Sequence, residues 1–95
     1  YNGFQIDGAT KDIMGLEPVA LKWQAFGWHT IEIDGHNMQE ILDAYDQAKT
    51  IKGKPTIIIA RTIKGKGVSF MENTADFHGR APTAEETKIA LKELE

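Results

Sequence analysis

The sequence predicts an α/β fold, a partial parallel sheet flanked by helices. Amphipathic stretches with helical caps alternate with short apolar runs, and that alternation builds parallel sheets. The strongest apolar run, Thr56-Ile57-Ile58-Ile59-Ala60, is β-branched and does not alternate with polar residues. A strand of that kind is buried on both faces. A long charged loop follows it, from residue 61 to residue 82, and a loop of that length in a compact domain is usually functional.

The elements follow in chain order. Tyr1–Ile6 reads as the tail of a strand. Asn2-Gly3 and Asp7-Gly8 are turn dipeptides on either side of Phe4-Gln5-Ile6, so a hairpin fits equally well. Residues 9–16 have no clear period and are expected to be loop. Glu17-Pro18 opens a helix, since proline suits the first turn. Val19, Trp23 and Phe26 then share one apolar face, and Gly27 closes the helix. Residues 28–33 read as a strand with Ile31 and Ile33 on one face, and Asp34-Gly35 turns the chain.

Asn37 is the N-cap of the clearest helix, with Glu40 completing a capping box. Met38, Ile41, Leu42, Tyr45 and Ala48 form its apolar stripe. Gly53 ends it, and Pro55 leads into the isoleucine strand. Thr83 caps the last helix, Glu86 completes a second box, and Leu91 and Leu94 are expected on the buried side.

Composition narrows the function. Ninety-five residues make about one small domain, and 41% hydrophobic with 26% charged residues is ordinary globular protein. A formal charge of −3 and a pI of about 5.6 leave no basic excess to neutralise phosphates. That argues against a general binder of nucleic acid or membrane surfaces. There is no cysteine, which excludes disulfides and thiolate metal sites and fits a reducing compartment. No apolar run approaches a membrane span. Tyr1-Asn2-Gly3-Phe4 is neither a signal peptide nor a usual start. Three strands with open apolar edges make a poor independent sheet. The expectation is a chain that is one piece of a larger domain.

The chemistry concentrates in the long loop. Lys64-Gly65-Lys66-Gly67 lies just past the carboxyl end of a buried strand, where open α/β sheets bind ligands. Glycines admit a phosphate to the backbone, and lysine supplies a mobile charge. Lys-Gly pairs are also ordinary in solvated turns, and the pattern leaves both readings open. Walker-loop spacing is absent. His78, beside Gly79, is free to face a ligand, and a neutral imidazole can donate to phosphate or polarise a hydroxyl. Taken alone it reads more readily as a surface or capping histidine. Asn2 and a following carbonyl are oxygen donors of the sort Mg²⁺ takes, although composition alone makes Asn2 a turn residue. His29 and His36 are structural, and Asp34 with His36 lacks a third metal ligand. There is no nucleophile elbow, and Asp7, Glu17 and Glu32 form no evident carboxylate pair.

Six segments in series carry a resemblance. Asn2-Gly3-Phe4-Gln5-Ile6-Asp7-Gly8, Phe26-Gly27-Trp28, Asp34-Gly35-His36-Asn37, Lys54-Pro55-Thr56, Thr62-x-Lys64-Gly65-x-Gly67 and His78-Gly79-x-x-Pro82 together look like transketolase. The part resembled is the second half of the domain that binds the diphosphate end of thiamine diphosphate. The end of the chain resembles that of the separate N-terminal subunit of split bacterial and archaeal transketolases. The resemblance implies residues 1–95 as a single incomplete domain of that thiamine-diphosphate-binding fold. It implies transfer of a two-carbon ketol unit between sugar phosphates, with thiamine diphosphate and Mg²⁺ or Ca²⁺ as cofactors. A cytoplasmic place in the pentose phosphate pathway comes with it.

The resemblance also assigns residues. Asn2 matches the asparagine that binds metal near the diphosphate, and the Phe4 carbonyl would be a further metal ligand. His78 matches a histidine that contacts diphosphate and substrate and is the candidate catalytic residue. Lys64 matches a cofactor-binding lysine of animal-type enzymes. The expected partner is the pyrimidine-binding C-terminal domain or subunit, in an oligomer. The Gly-Asp-Gly segment that opens the family signature is not in this sequence, nor is the activating glutamate of the other domain. The chain alone is therefore expected to be inactive. A 1-deoxyxylulose-5-phosphate synthase-like ketolase fragment and a non-catalytic interaction module are the alternatives.

Overall fold

A computed structural model describes all residues, Tyr1 to Glu95, in the order β1 (Phe4–Gln5), β2 (Gly8–Ala9), α1 (Thr10–Ile13), α2 (Val19–Ala25), β3 (His29–Asp34), α3 (Met38–Thr50), β4 (Thr56–Arg61) and α4 (Ala84–Glu93). The chain divides into two compact units. One comprises Tyr1 with Leu16–Thr62, and the other comprises Asn2–Gly15 with Ile63–Glu95.

The first unit is a parallel βαβ arrangement. β3 and β4 pair in parallel from His29↔Thr56 to Asp34↔Arg61. The isoleucine run forms β4, as its β-branched residues predict. Tyr1 is tied to β4 on both sides of Arg61. Its ammonium donates to the Ala60 carbonyl at 2.7 Å, and its carbonyl accepts the Thr62 N–H at 3.0 Å. This bracketing sets Tyr1 beside β4, but Tyr1 lies in no strand, and the parallel sheet has two strands where three were expected. Gly35 turns the chain out of β3 where no side chain fits, because a Cβ there would press on Thr62, Ala60 and the Arg61 carbonyl. The buried residues are Ile31, Ala44 and Ile59, one each from β3, α3 and β4.

Several expected apolar contacts are absent. Phe26 is 81% exposed. The helix stops at Ala25, Phe26 is its C-cap, and Gly27, at φ +84°, turns the chain immediately after it. Trp23 instead meets Trp28 edge-on, with ring centroids 4.9 Å apart. On α3, Ile41 and Tyr45 line an apolar groove with Ile33, Ile58 and Ala60. Met38, Leu42 and much of Tyr45 remain exposed. Two strands about 4.8 Å apart are too narrow to cover a five-residue stripe on a helix about 10 Å across.

The α3 cap is also modified. Asn37 accepts the N–H groups of Gln39 and Glu40 as expected. The Glu40 carboxylate does not return to the Asn37 N–H, which donates to the Asp34 carbonyl at 3.1 Å. It takes the Asp34 N–H at 2.7 Å and the Asn37 carboxamide at 3.0 Å.

The second unit holds the hairpin and the long loop. β1 and β2 pair antiparallel, Phe4↔Ala9 and Gln5↔Gly8. The segment expected to be loop contains α1, one turn of helix whose Thr10 is buried and donates its N–H to the Gly3 carbonyl at 2.8 Å. The sequence lacks a side-chain cap there, which is why the pattern does not announce it. Residues 62–82 contain only turns and bends. Thr83 caps α4 with the reciprocal Glu86 box complete. Leu91 and Leu94 are 60% and 61% exposed, against expectation. Glu93 fastens the loop to this helix, taking the Ser69 N–H at 2.6 Å and its hydroxyl at 2.7 Å. These two bonds, the hydroxyl first, hold the Glu93 carboxyl below its ordinary range.

Candidate functional site

The four residues singled out by the sequence, Asn2, Phe4, Lys64 and His78, all belong to the second unit. Asn2 and Phe4 are brought together directly. The Asn2 side-chain oxygen accepts the Phe4 N–H at 2.9 Å, an Asx turn that the Asn-Gly dipeptide favours, with Gly3 at φ +74° between them. Antiparallel pairs alternate between bonded and non-bonded. Because Thr10 bonds to Gly3, the next pair, Phe4↔Ala9, is the non-bonded one. The Phe4 carbonyl therefore points away from β2, along the hairpin edge where the Asn2 oxygen lies.

That edge offers two neutral oxygens, one carboxamide and one carbonyl. Both are hard donors of the type Mg²⁺ or Ca²⁺ accepts. No cluster of three or more His, Cys, Asp or Glu residues accompanies them. The donor chemistry of the pair suits a hard cation, and two neutral oxygens do not make a complete shell by themselves.

The Lys64 stretch is a tight turn. Lys66 N–H bonds to the Ile63 carbonyl and Val68 N–H to the Gly65 carbonyl, each at 3.2 Å, and Val68 is buried. Gly65 and Gly67 both have positive φ, at +74° and +96°. The Gly65 Cα lies against the Met71 backbone, where a Cβ would collide with the carbonyl. The Gly67 N–H is taken by the Glu72 carboxylate at 2.9 Å. Gly65 thus serves close packing of the loop on itself, while a Cβ at Gly67 would meet the Leu94 side chain of α4. Lys64 is half-buried, with its carbonyl held by the Asn73 N–H at 3.0 Å and its ammonium in no ion pair.

His78 is exposed and its imidazole makes no hydrogen bond, while its N–H donates to the Ala75 carbonyl at 2.9 Å. Its neighbours are more constrained. The Phe77 ring lies 5.6 Å from that of Phe70 and 4.1 Å beneath the Arg80 guanidinium. Arg80 is paired with Glu86 by two bonds, at 2.8 and 3.0 Å. The guanidinium, and after it the Thr83 N–H, hold the Glu86 carboxyl down to about 2.

In the first unit, Arg61 bridges Glu17 at 2.7 Å and Glu32 at 3.2 Å, with its guanidinium 4.5 Å from the Tyr1 ring centroid. Arg61, first among its causes, lowers the Glu17 carboxyl.

A family model described as "Transketolase, thiamine diphosphate binding domain" matches residues 1–94. The chain belongs to the transketolase family. It is 53% identical, over its whole length, to the 6-deoxy-6-sulfo-D-fructose transketolase subunit SqwG of Clostridium sp. (strain MSTE9), covering 34% of that protein. It is 40% identical over 98% of its length to an apulose-4-phosphate transketolase subunit of Phocaeicola vulgatus, covering 33% of it. Among solved structures, the crystal structure of transketolase from Campylobacter jejuni superposes with a TM-score of 0.86 at 33% identity, over 97% of this chain and 14% of that one. The chain thus spans about a third of the curated relatives it matches.

Within this transketolase segment, sequence reasoning passed over Arg80 and Glu93. Arg80 lies outside α4, so no helical spacing pairs it with Glu86. Glu93 and Ser69 are 24 residues apart. The one available signal was Glu86, already marked as a capping residue.

Proposed function

We propose that residues 1–95 form the second half of the diphosphate-binding domain of a transketolase that moves a two-carbon ketol unit between a ketose and an aldose. The observation that carries this reading is the family match along the whole chain, joined to a hairpin edge that presents two hard oxygen donors. Asn2, through its side chain, and Phe4, through its carbonyl, would hold Mg²⁺ or Ca²⁺ against the diphosphate. His78 would donate to the diphosphate and to a substrate hydroxyl, with its exposed imidazole free to do so. Lys64 would offset diphosphate charge with its unpaired ammonium. Thiamine diphosphate, when bound, supplies the carbanion chemistry, and the protein supplies position and charge.

The relatives' names speak of a sulfo-sugar and of a sugar phosphate. The substrate class proposed here is a sugar with an anionic terminus, phosphate or sulfonate. The pyrimidine-binding half comes from a partner domain or subunit, in an oligomeric, cytoplasmic enzyme of sugar-phosphate metabolism such as the pentose phosphate pathway.

The test combines this chain, within its complete subunit, with the complementary half and follows ketol transfer from ketose phosphates and from 6-deoxy-6-sulfofructose. Transfer that requires thiamine diphosphate, a divalent cation and both halves is expected. Robust transfer by residues 1–95 alone would sink the reading. An undiminished rate for His78→Ala in the complete enzyme would remove His78 from the site.

A further inference from the structure

We propose that Arg80 is a positioning residue for His78, acting through Phe77 and Glu86. The inference rests on the reading that His78 meets diphosphate and substrate.

The geometry runs in one direction, from the helix to the histidine. Glu86 is the third residue of α4 and is fixed there by the capping box, with its Oε2 accepting the Thr83 N–H at 2.8 Å. The same carboxylate takes Arg80 Nη1 on Oε2 at 2.8 Å and Nη2 on Oε1 at 3.0 Å. A two-point pair between planar groups fixes the orientation of the guanidinium as well as its place. The oriented guanidinium covers the Phe77 ring at 4.1 Å, and that ring also meets Phe70 at 5.6 Å.

The short peptide 77–80 is therefore held on both sides of His78, by a ring contact at Phe77 and an ion pair at Arg80. The His78 N–H is held as well, by the Ala75 carbonyl. The imidazole is left without a partner. Holding the backbone on both sides of His78 limits where the imidazole can reach, and leaves the ring open to a ligand that would fix its rotamer. Lysine cannot replace Arg80, since a single ammonium neither makes two parallel bonds nor stacks as a plane.

The experiment uses the complete enzyme with its complementary half. It measures thiamine diphosphate affinity by quenching of intrinsic fluorescence, together with kcat and KM, for Arg80→Gln, Arg80→Lys, Phe77→Leu, His78→Ala and the double variant Arg80→Gln/His78→Ala. A displaced reacting group costs on the order of ten- to a hundredfold. Arg80→Gln should lose about that in kcat or cofactor affinity, Arg80→Lys should not rescue it, and Phe77→Leu, which leaves the cap and ion pair intact, should lose part of it. The double variant should be no worse than His78→Ala.

Losses that add in the double variant overturn the inference, as does an Arg80→Lys enzyme equal to the parent. If Arg80→Gln fails to fold, an undiminished Phe77→Leu enzyme overturns it. The failure of the underlying reading looks different, because His78→Ala itself would then be silent.

Discussion

The side-chain oxygen of Asn2 accepts the Phe4 N–H at 2.9 Å, and this one bond orients the free edge of the β1–β2 hairpin. The Phe4 carbonyl has no partner across the hairpin, because its pair with Ala9 is the non-bonded kind. Two oxygen donors two residues apart thus share an edge. Asn2→Ala removes one donor and the turn that aims the other. The expected outcome is a cofactor affinity in the complete enzyme weakened on the order of tenfold at limiting Mg²⁺, recovering in part as Mg²⁺ is raised. Titration of thiamine diphosphate at two Mg²⁺ concentrations measures this. An affinity equal to the parent at both would remove Asn2 from the metal shell.

Two glycines of the loop make opposite predictions. Gly65 has φ +74° and its missing Cβ faces the Met71 backbone, which cannot move aside as a side-chain tip can. Gly65→Ala should therefore destabilise by about 1–3 kcal/mol. Gly79 has no positive φ, and nothing lies within 4 Å of its missing Cβ. Gly79→Ala should stay within about 0.5 kcal/mol of the parent. Chemical denaturation of the two variants checks both. Equal stabilities would mean that the turn at Gly65 does not hold against Met71 in solution.

What could be read from the sequence divides by range. The Thr83–Glu86 box and the Asn37 cap are local patterns and form as read. Glu40 departs from its pattern because the Asp34 carbonyl has already engaged the Asn37 N–H, a competitor outside the four-residue motif. The isoleucine strand was legible from its β-branched composition, but the two covered faces expected of it are not formed: within these residues only Ile59 of β4 is buried and the other isoleucines are half-buried. Which leucines and aromatics are covered was not legible. Leu91, Met38 and Phe26 are left largely exposed, and Leu94 meets the bare Cα of Gly67 with most of its side chain still open. Of the candidate site, the residue types were readable through the family resemblance. The support around His78 was not, because Arg80 reaches Glu86 by the path of a loop.

The acid response of the α4 cap follows from Glu86. Its carboxyl lies at about 2 in the folded chain against an ordinary 4.5, first through Arg80 and then through the Thr83 N–H. A depressed folded value means that the ionised form is the better bound one. Its contribution to stability is complete above about 4.5 and is lost as the pH falls from there toward 2. Glu86→Gln keeps the shape but cannot ionise. It should melt below the parent at pH 6, and the gap should close as the pH drops through that window. The groups are exposed, so added salt should also narrow the gap at pH 6. Thermal melts of the two proteins at pH 6 and pH 2.5, with and without salt, decide it. A gap of the same size at both pH values would show that Glu86 stabilises α4 by shape alone and that its charge pairing with Arg80 contributes nothing.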